Sequence, residues 1–329
     1  MLQAGNDTWS FRCSACGKCC NSAPEMSLPE LLHHQHRFVG SLAIRRVPRP
    51  RLGDRLGTGP LAPRASDADC RAVSDLADAL LHRLPGGPQA DDVLLATQAF
   101  SPHASDPCPA LGVDMRCTIH DDRKPVQCSV VPLDALVPDR LQHVVLADRR
   151  TEASYLGADC IVPGTGPGSP LTPLVRRLAV VDAAACEALA HRRRDLVDEK
   201  RWWGNAVFGV LRGELFANPA ALARVPVGGF LVLAIAPVLV VLSAVSPRCR
   251  QRCLEYLDAQ TALIDERVRI AVASKRLADR PGTAQLRAFA RANVALNAAL
   301  EKASPEARSC TAGESRAIEA WMGLADPVR

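Results

Sequence analysis

Aromatic residues are scarce in this chain of 329 residues, at 4% of the composition. Its hydrophobic content of 48% and charged content of 23% are those of an ordinary globular protein, which excludes a disordered chain. With few aromatic side chains and abundant Ala, Leu and Val, we expect helices that pack through small aliphatic residues. The net charge of +5 is mild for this length and gives little support to an anionic partner.

Several motifs of common protein classes are also missing. The sequence has no Ser-His-Asp nucleophile elbow, no paired-carboxylate motif and no phosphate loop with its lysine. It has no repeat of fixed period, which argues against solenoid architectures. Residues 1–11 contain no basic stretch followed by an apolar core, so we expect no secretory signal and a cytoplasmic location. In a reducing compartment the thirteen cysteines would stay free thiols.

A dense group of cysteines lies near the N-terminus. Cys13, Cys16, Cys19 and Cys20 fall within eight residues, and Gly17 between them can adopt the positive φ that a tight turn requires. Thiolates spaced in this way can converge on a soft metal ion or an iron–sulfur cluster. A disulfide framework suits short secreted chains better, and a bridge between adjacent cysteines would be strained. We interpret this run, the first arm, as part of a metal site.

A second group of cysteines follows in loop-like sequence. Cys108, Cys117 and Cys128 fall within 21 residues, which we call the second arm, and Cys160 precedes a run rich in Gly and Pro. Eight sulfurs could saturate two tetrahedral zinc ions or two four-cysteine iron–sulfur clusters, or one site with spare thiols for redox chemistry, and the sequence alone does not choose among these. The predicted metal ligands are therefore Cys13, Cys16, Cys19, Cys20, Cys108, Cys117, Cys128 and Cys160.

The two arms together resemble the YkgJ-type cysteine-cluster (CxxCxxCC) family, which is described as zinc- or iron-chelating. Besides the cysteines, the matching positions are Phe11, Leu111, Ile119, His120, Pro125 and the segment from Cys160 to Leu171. The resemblance covers residues 11–171, about half of the chain. The arms are more distantly similar to those of flagellin lysine N-methylases, a resemblance that implies protein modification with S-adenosylmethionine.

Three functions follow as hypotheses. The first is a protein whose cysteine cluster holds an iron–sulfur cluster or zinc and supports redox chemistry or protein modification. The second is a non-catalytic interaction module in which zinc only stabilises the fold. The third is S-adenosylmethionine-dependent methylation of protein lysines, which only the resemblance implies. Whether the protein is an enzyme stays open, and no catalytic residue is predicted. A protein partner or protein substrate is expected to bind the helical half, and no nucleic acid is expected.

The run of Gly and Pro at residues 163–170 predicts a domain boundary. Residues 1–170 are predicted to form a small, irregular cysteine-cluster domain with short strands, and residues 171–329 a helical bundle. The predicted fold class is therefore α+β, mostly α. Helices are predicted to start at Ser27 and to cover residues 67–84, 171–190, 194–216, 230–246, 248–277 and 283–303. Strands are predicted at residues 42–47, 93–100 and 141–146.

One segment is long and apolar enough to raise the question of a membrane. Residues 225–247 contain no charged side chain, a length compatible with a membrane span. Pro226, Gly228, Gly229 and Pro237 interrupt the segment, so we favour a buried helix and expect no membrane binding.

Other histidines and cysteines could bind metal in principle. His33, His34 and His36 are spread around a helix by their spacing, so they cannot all face one ion. Cys249 and Cys253 share one helix face, but two thiols without further ligands are more typical of small buried hydrophobic residues. For His120, a role at the metal site and a place on the surface are equally compatible with the sequence.

Overall fold

The structure, a computed structural model, describes residues 8–14, 17–20, 23–59, 62–85, 91–102, 107–151, 157–164, 171–302 and 311–324. Helices make up 54% of the structure and strands 15%, and the strands form two small antiparallel sheets. The predicted fold class, α+β and mostly α, is confirmed.

The secondary structure alternates between short strands and helices in the first half and is dominated by helices in the second. The strands are β1 (Thr8–Phe11), β2 (Val39–Val47), β3 (His82–Arg83), β4 (Asp92–Phe100), β5 (Ile161–Pro163), β6 (Pro173–Arg176), β7 (Ala179–Val180) and β8 (Leu231–Ala234). The helices are α1 (Leu28–His33), α2 (Asp67–Leu80), α3 (Val126–Val130), α4 (Gln142–Thr151), α5 (Ala183–Glu199), α6 (Asn205–Leu211), α7 (Pro219–Leu222), α8 (Ala236–Ser243), α9 (Pro247–Ser274), α10 (Arg280–Lys302) and α11 (Ala312–Trp321). Two π-helical turns, Lys200–Gly204 and Arg212–Phe216, continue α5 and α6.

The chain divides into two compact units, each made of separate stretches. Unit 1 comprises Met1–Asn21, Val47–Val93 and Ala110–Val197. Unit 2 comprises Ser22–Arg46, Leu94–Pro109 and Asp198–Arg329. Of the run that predicted a domain boundary, residues 163–170, the last six residues (165–170) lie outside the described residues. Unit 1 continues past this run, because β5 before it and β6 after it both pair with β1.

Unit 1 contains a four-stranded sheet with the order β5-β1-β6-β7. Its central strand is β1, which is antiparallel to both neighbours, with Phe11 opposite Ile161 and Trp9 opposite Val175. The end of β1 is where the first arm begins. This sheet therefore places the N-terminal cysteines beside the chain around Cys160.

Helix α2 of unit 1 confirms the first fourteen residues of the helix predicted over residues 67–84, whose end is wrong because His82–Arg83 form β3, and it begins with a well-defined cap. The Ser66 hydroxyl donates to Asp69 Oδ2 at 2.5 Å, and Asp69 N donates back to Ser66 Oγ at 3.3 Å. Arg140 Nε donates to the other carboxylate oxygen of Asp69 at 2.8 Å. Burial alone would raise the pKa of Asp69, but these hydrogen bonds and the Arg140 charge lower it overall.

Three predicted elements are wrong, each for a reason outside the local sequence. Residues 141–146, predicted as a strand, begin α4, where the Gln142 amide is hydrogen-bonded to Asp134 N and O and to Val137 O. The helix predicted from residue 171 starts only at Ala183, because the preceding residues form β6 and β7.

The third correction concerns the apolar segment 225–247. The helix predicted over residues 230–246 is replaced by β8, which pairs with β2, and by the eight-residue helix α8. Val238, Leu239 and Leu242 of α8 are buried, as expected for a core helix. Within the described part of the chain, no helix combines the length and the apolarity that crossing a membrane requires.

Unit 2 contains most of the helices and a sheet with the strand order β3-β4-β2-β8, of which β3 and the first residues of β4 belong to unit 1. One of its core clusters joins the sheet to α9 and α10 through Val39, Phe100, Ile264, Leu286 and Phe289.

Tyr256 of α9 is fully buried in unit 2. Its hydroxyl has no hydrogen-bond partner among the described residues, and a β-carbon added to Gly40 of β2 would lie 2.0 Å from it. The close approach of α9 to β2 thus depends on residue 40 being glycine, which has no side chain.

Candidate metal centre

The first arm leaves the sheet of unit 1 directly beside Cys160. Arg12 N donates a hydrogen bond to Cys160 O at 2.9 Å, continuing the pairing of β1 with β5. The Ser14 hydroxyl lies 3.7 Å from Cys160 Sγ, within hydrogen-bond reach of a sulfur. Cys160 is buried, with 5% of its surface exposed, whereas Cys13 is exposed.

The middle of the first arm is a tight turn at Gly17. Gly17 has a φ of 69°, as predicted for the turn, and its carbonyl accepts from Cys20 N at 2.9 Å. Lys18–Cys20 then form a short 3₁₀ turn in which the thiols of Cys19 and Cys20 are half-buried. Cys16 lies outside the described residues.

An ion pair holds the first arm to the chain before Cys160. Lys18 Nζ lies 2.7 Å from Asp159 Oδ2, across 141 residues of sequence. The hydrogen bond from Lys18 lowers the pKa of Asp159, and the charge of Lys18 adds to this effect. Both side chains are exposed, so the pair positions the arm more than it stabilises the fold.

The second arm forms a narrow loop that we call the hairpin loop (residues 110–118). Gly112 N donates to Arg116 O and Thr118 N to Ala110 O, both at 2.8 Å. Met115 at the tip has a φ of 64°, in the left-handed region that non-glycine residues rarely adopt. Cys117 at its base is half-buried, and so is Cys128 on α3.

The hairpin loop contacts the turn of the first arm. A β-carbon added to Gly17 would lie 2.4 Å from Met115 Cε and 3.3 Å from Leu111 Cδ2. A side chain at position 17 would have to displace the flexible end of Met115. Unit 1 thus brings together the first arm, the hairpin loop and the segment of Cys160.

The described side chains do not form a closed metal site. Among the residues that the structure describes, no three His, Cys, Asp or Glu side chains are grouped closely enough to hold an ion. Cys108 belongs to unit 2, where it is half-buried. His120 is exposed, and its amide donates to Cys117 O at 3.3 Å. The eight predicted ligands therefore stay a prediction, and the approach of segments in unit 1 concerns only the first arm, the hairpin loop and the segment of Cys160.

Comparison with known proteins gives no relative. No family model matches the chain, and no curated protein and no solved structure is significantly similar to it. The resemblance of the two arms to the YkgJ-type family thus stays a prediction that depends on the cysteine pattern.

The remaining candidates lie apart from one another or in the core. His34 is buried, whereas His33 and His36 are exposed, in keeping with their predicted spread around the chain. Cys249 and Cys253 of α9 are fully buried, as predicted for small hydrophobic residues. Burial raises the pKa of Cys253 to about 12, so its thiol is protonated at neutral pH.

Two features of the site escaped the reasoning from sequence. The contact of Met115 with Gly17 had one available signal, a methionine with its soft sulfur between the cysteines of the second arm. The pair of Lys18 with Asp159 had none, because isolated charges 141 residues apart carry no pattern.

Proposed function

We propose that this protein binds a metal through the cysteines of unit 1, as an iron–sulfur cluster or as zinc. The predicted ligands in this unit are Cys13, Cys16, Cys19, Cys20, Cys117, Cys128 and Cys160, whereas Cys108 belongs to unit 2 and is not part of this proposal. The observation that carries the proposal is the contact of the Gly17 turn with the hairpin loop, since it joins two cysteine-bearing segments about 100 residues apart in sequence.

The chemistry of the cysteine ligands supports the same proposal. Thiolates prefer zinc, Cu(I) and iron–sulfur clusters to hard cations such as Mg²⁺ or Ca²⁺. The thiols of Cys19, Cys20, Cys117 and Cys128 are half-buried, which leaves them accessible to an incoming ion. The Ser14 hydroxyl beside Cys160 Sγ can donate a hydrogen bond to a thiolate ligand and orient it.

A structural zinc site in a non-catalytic interaction module is the second candidate. The irregular backbone of the two arms, which consists of turns and the short helices Lys18–Cys20 and Val126–Val130, favours it, because metal binding commonly supplies folding free energy to such segments. Protein lysine methylation rests on the distant resemblance alone. A redox-active cluster changes its absorption spectrum on reduction, whereas zinc does not, so this measurement separates an iron–sulfur cluster from either kind of zinc site.

Anaerobic purification followed by metal quantification tests the proposal. A brown protein with iron and acid-labile sulfide identifies a cluster, and a colourless protein with stoichiometric zinc identifies a zinc site. Cys16→Ser and Cys19→Ser should each lose the metal. Cys186→Ser is the matched control, since Cys186 is an exposed cysteine of α5 in the same unit and is not a predicted ligand.

One set of results supports the metal site and another refutes it. Loss of metal in Cys16→Ser and Cys19→Ser with full metal in Cys186→Ser supports the site. A wild-type protein that holds no metal after anaerobic purification, and takes up neither iron–sulfur nor zinc on reconstitution, would refute it.

A further inference from the structure

Helices α9 and α10 of unit 2 leave one long face exposed. Residues 258–265 of α9 line a cavity with residues 294–301 of α10, and the end of α9 lines a second cavity with the start of α10, so the helices are antiparallel. Ile264, Leu286 and Phe289 face the core instead. Residues seven positions apart share one side of a helix. On the exposed side, which we call the α9–α10 face, this spacing relates Asp258, Asp265 and Val272 of α9 and Arg280, Arg287, Val294 and Glu301 of α10.

One end of the α9–α10 face is acidic. Its cavity has a volume of about 510 Å³, and its charged side chains are the three carboxylates of Asp258, Asp265 and Glu301. Asn297 donates a hydrogen bond to Asp258 at 2.6 Å. Asp265 and Glu301 form no ion pair within the described part of the chain, so their carboxylates are available to a partner.

The other end of the α9–α10 face is basic. Its cavity has a volume of about 450 Å³ and is lined by four cations, Lys275, Arg276, Arg280 and Arg287, and by the carboxylate of Asp279. Arg276 is paired with the buried Asp279, with 3.0 Å between Nε and Oδ2. Lys275, Arg280 and Arg287 are exposed and form no ion pair with any residue that the structure describes. The uncompensated charge at this end is therefore opposite to that of the acidic end.

The uncharged part of this face consists of small apolar residues. Val272 and Val294 are 54% and 56% exposed, although each contributes to the wall of a cavity. Alanines line both cavities, at positions Ala262, Ala298, Ala271 and Ala284. Such side chains let a second pair of helices approach closely, as in a four-helix bundle.

The distribution of charge selects the partner. A basic peptide matches only the acidic end, and an acidic peptide or a phosphate matches only the basic end. A second copy of the chain, related by a two-fold axis between the two cavities, places its basic end on the acidic end of the first copy and its acidic end on the basic end. One self-complementary contact then satisfies both ends.

The size of the face fits the same partner. Helix α10 has 23 residues and is therefore about 35 Å long. Two adjacent helices, each about 10 Å wide, present roughly 700 Å² per copy, close to the area of about 800 Å² per partner in a standard interface.

We propose that the α9–α10 face is a dimer interface, in which two copies of this chain pack antiparallel with the acidic cavity of each against the basic cavity of the other. The interface is independent of the metal proposed above, because every residue in it belongs to unit 2.

The test is analytical ultracentrifugation of the full-length protein with reductant and chelator present, so that neither disulfides nor metal link two copies. The wild type should dimerise at about 0.1 M salt and dissociate more readily at about 1 M, where charges are screened. Asp265→Arg and Arg287→Glu each place like charges against one another at both ends of the dimer, and each should weaken association about tenfold or more. Mixed in equal amounts, the two variants pair opposite charges at both ends and should recover the affinity of the wild type.

Arg316→Glu is the matched control, because Arg316 is an exposed arginine of α11 in the same unit and lines neither cavity. It should leave association unchanged. Weakening by Arg316→Glu equal to that by Arg287→Glu assigns the effect to net charge and overturns the inference.

Three other results overturn it as well. The first is a wild type that stays monomeric at every protein concentration tested, and binding of inorganic phosphate that is lost in Arg287→Glu would then assign the basic cavity to an anion. The second is a dimer that survives both charge reversals, which places the contact on another surface. The third is a mixture of the two variants that does not associate, although each is folded by circular dichroism.

Discussion

The contact of Gly17 with Met115 predicts a measurable energetic coupling between the first arm and the hairpin loop. An alanine at position 17 would have to keep a φ of 69°, which costs about 1–2 kcal/mol relative to glycine. Its β-carbon would also lie 2.4 Å from Met115 Cε. Displacing this flexible end adds about 1 kcal/mol, the low end of the cost of overpacking. We expect Gly17→Ala to lower the free energy of unfolding by about 2–3 kcal/mol.

The steric part of this loss should vanish when Met115 is shortened. In the Met115→Ala background, Gly17→Ala should cost only the backbone part, about 1–2 kcal/mol, which gives a coupling energy near 1 kcal/mol. The assay is urea unfolding of the full chain with reductant and chelator present, so that no metal contributes. Hydrogen exchange of residues 8–20 would assign the loss to the first arm.

Gly53→Ala provides the matched control for the double-mutant cycle. Gly53 also has a positive φ, of 82°, but a β-carbon there would meet no atom within 4 Å. This substitution should carry the backbone cost alone and show no coupling with Met115→Ala. Additivity of Gly17→Ala and Met115→Ala within about 0.3 kcal/mol would refute the contact, and with it the observation that carries the proposed metal site.

Three further predictions concern buried polar groups. Tyr256→Phe should raise the free energy of unfolding in urea by about 1 kcal/mol, since it removes a buried hydroxyl without a partner among the described residues; a loss would show that the hydroxyl is bonded. Because burial raises the pKa of Cys253 to about 12, iodoacetamide should alkylate exposed Cys13 and spare Cys253 in the native apoprotein, and equal labelling by mass spectrometry would contradict this. Because the pKa of Asp69 is lowered in the folded protein, its carboxylate stabilises the fold at pH values above the pKa that Asp69 has in the unfolded chain. This contribution is lost as the pH falls through the pKa of Asp69 in the folded protein. Asp69→Asn should therefore flatten the acid limb of the stability profile below about pH 4, and an unchanged limb would exclude the effect.

Elements that depend on local signals were predictable from the sequence. Helix α1 starts where Ser27 and Glu30 predict it, with Ser27 N donating to Glu30 Oε2 at 2.7 Å. Helix α2 likewise begins after the capping residue Ser66. In both helices the residues that hydrogen-bond the free backbone N–H groups of the first turn lie within three positions of the helix start. The signal is therefore present in the local sequence.

Elements that depend on a distant partner were not predictable. Strands β6 and β8 lie in apolar stretches whose spacing also fits a helix, and their state is decided by pairing with β1 and β2. The cysteine positions of the candidate site could be predicted from spacing. The pair of Lys18 with Asp159 could not, since isolated charges 141 residues apart carry no pattern, and the contact of Gly17 with Met115 had only a methionine between cysteines as its signal.

The central position of β1 has a consequence for biosynthesis. Both neighbours of β1 follow it by about 150 residues or more, so this strand has no partner until the chain through β5 has left the ribosome, and β6 follows as its second partner. At a translation rate of about 5–20 residues per second, the first-arm thiols stay unprotected for roughly 8–30 seconds on every nascent chain. During this interval the first-arm cysteines depend on the thiol-reducing capacity around the ribosome, because neither strand that pairs with β1 has been made.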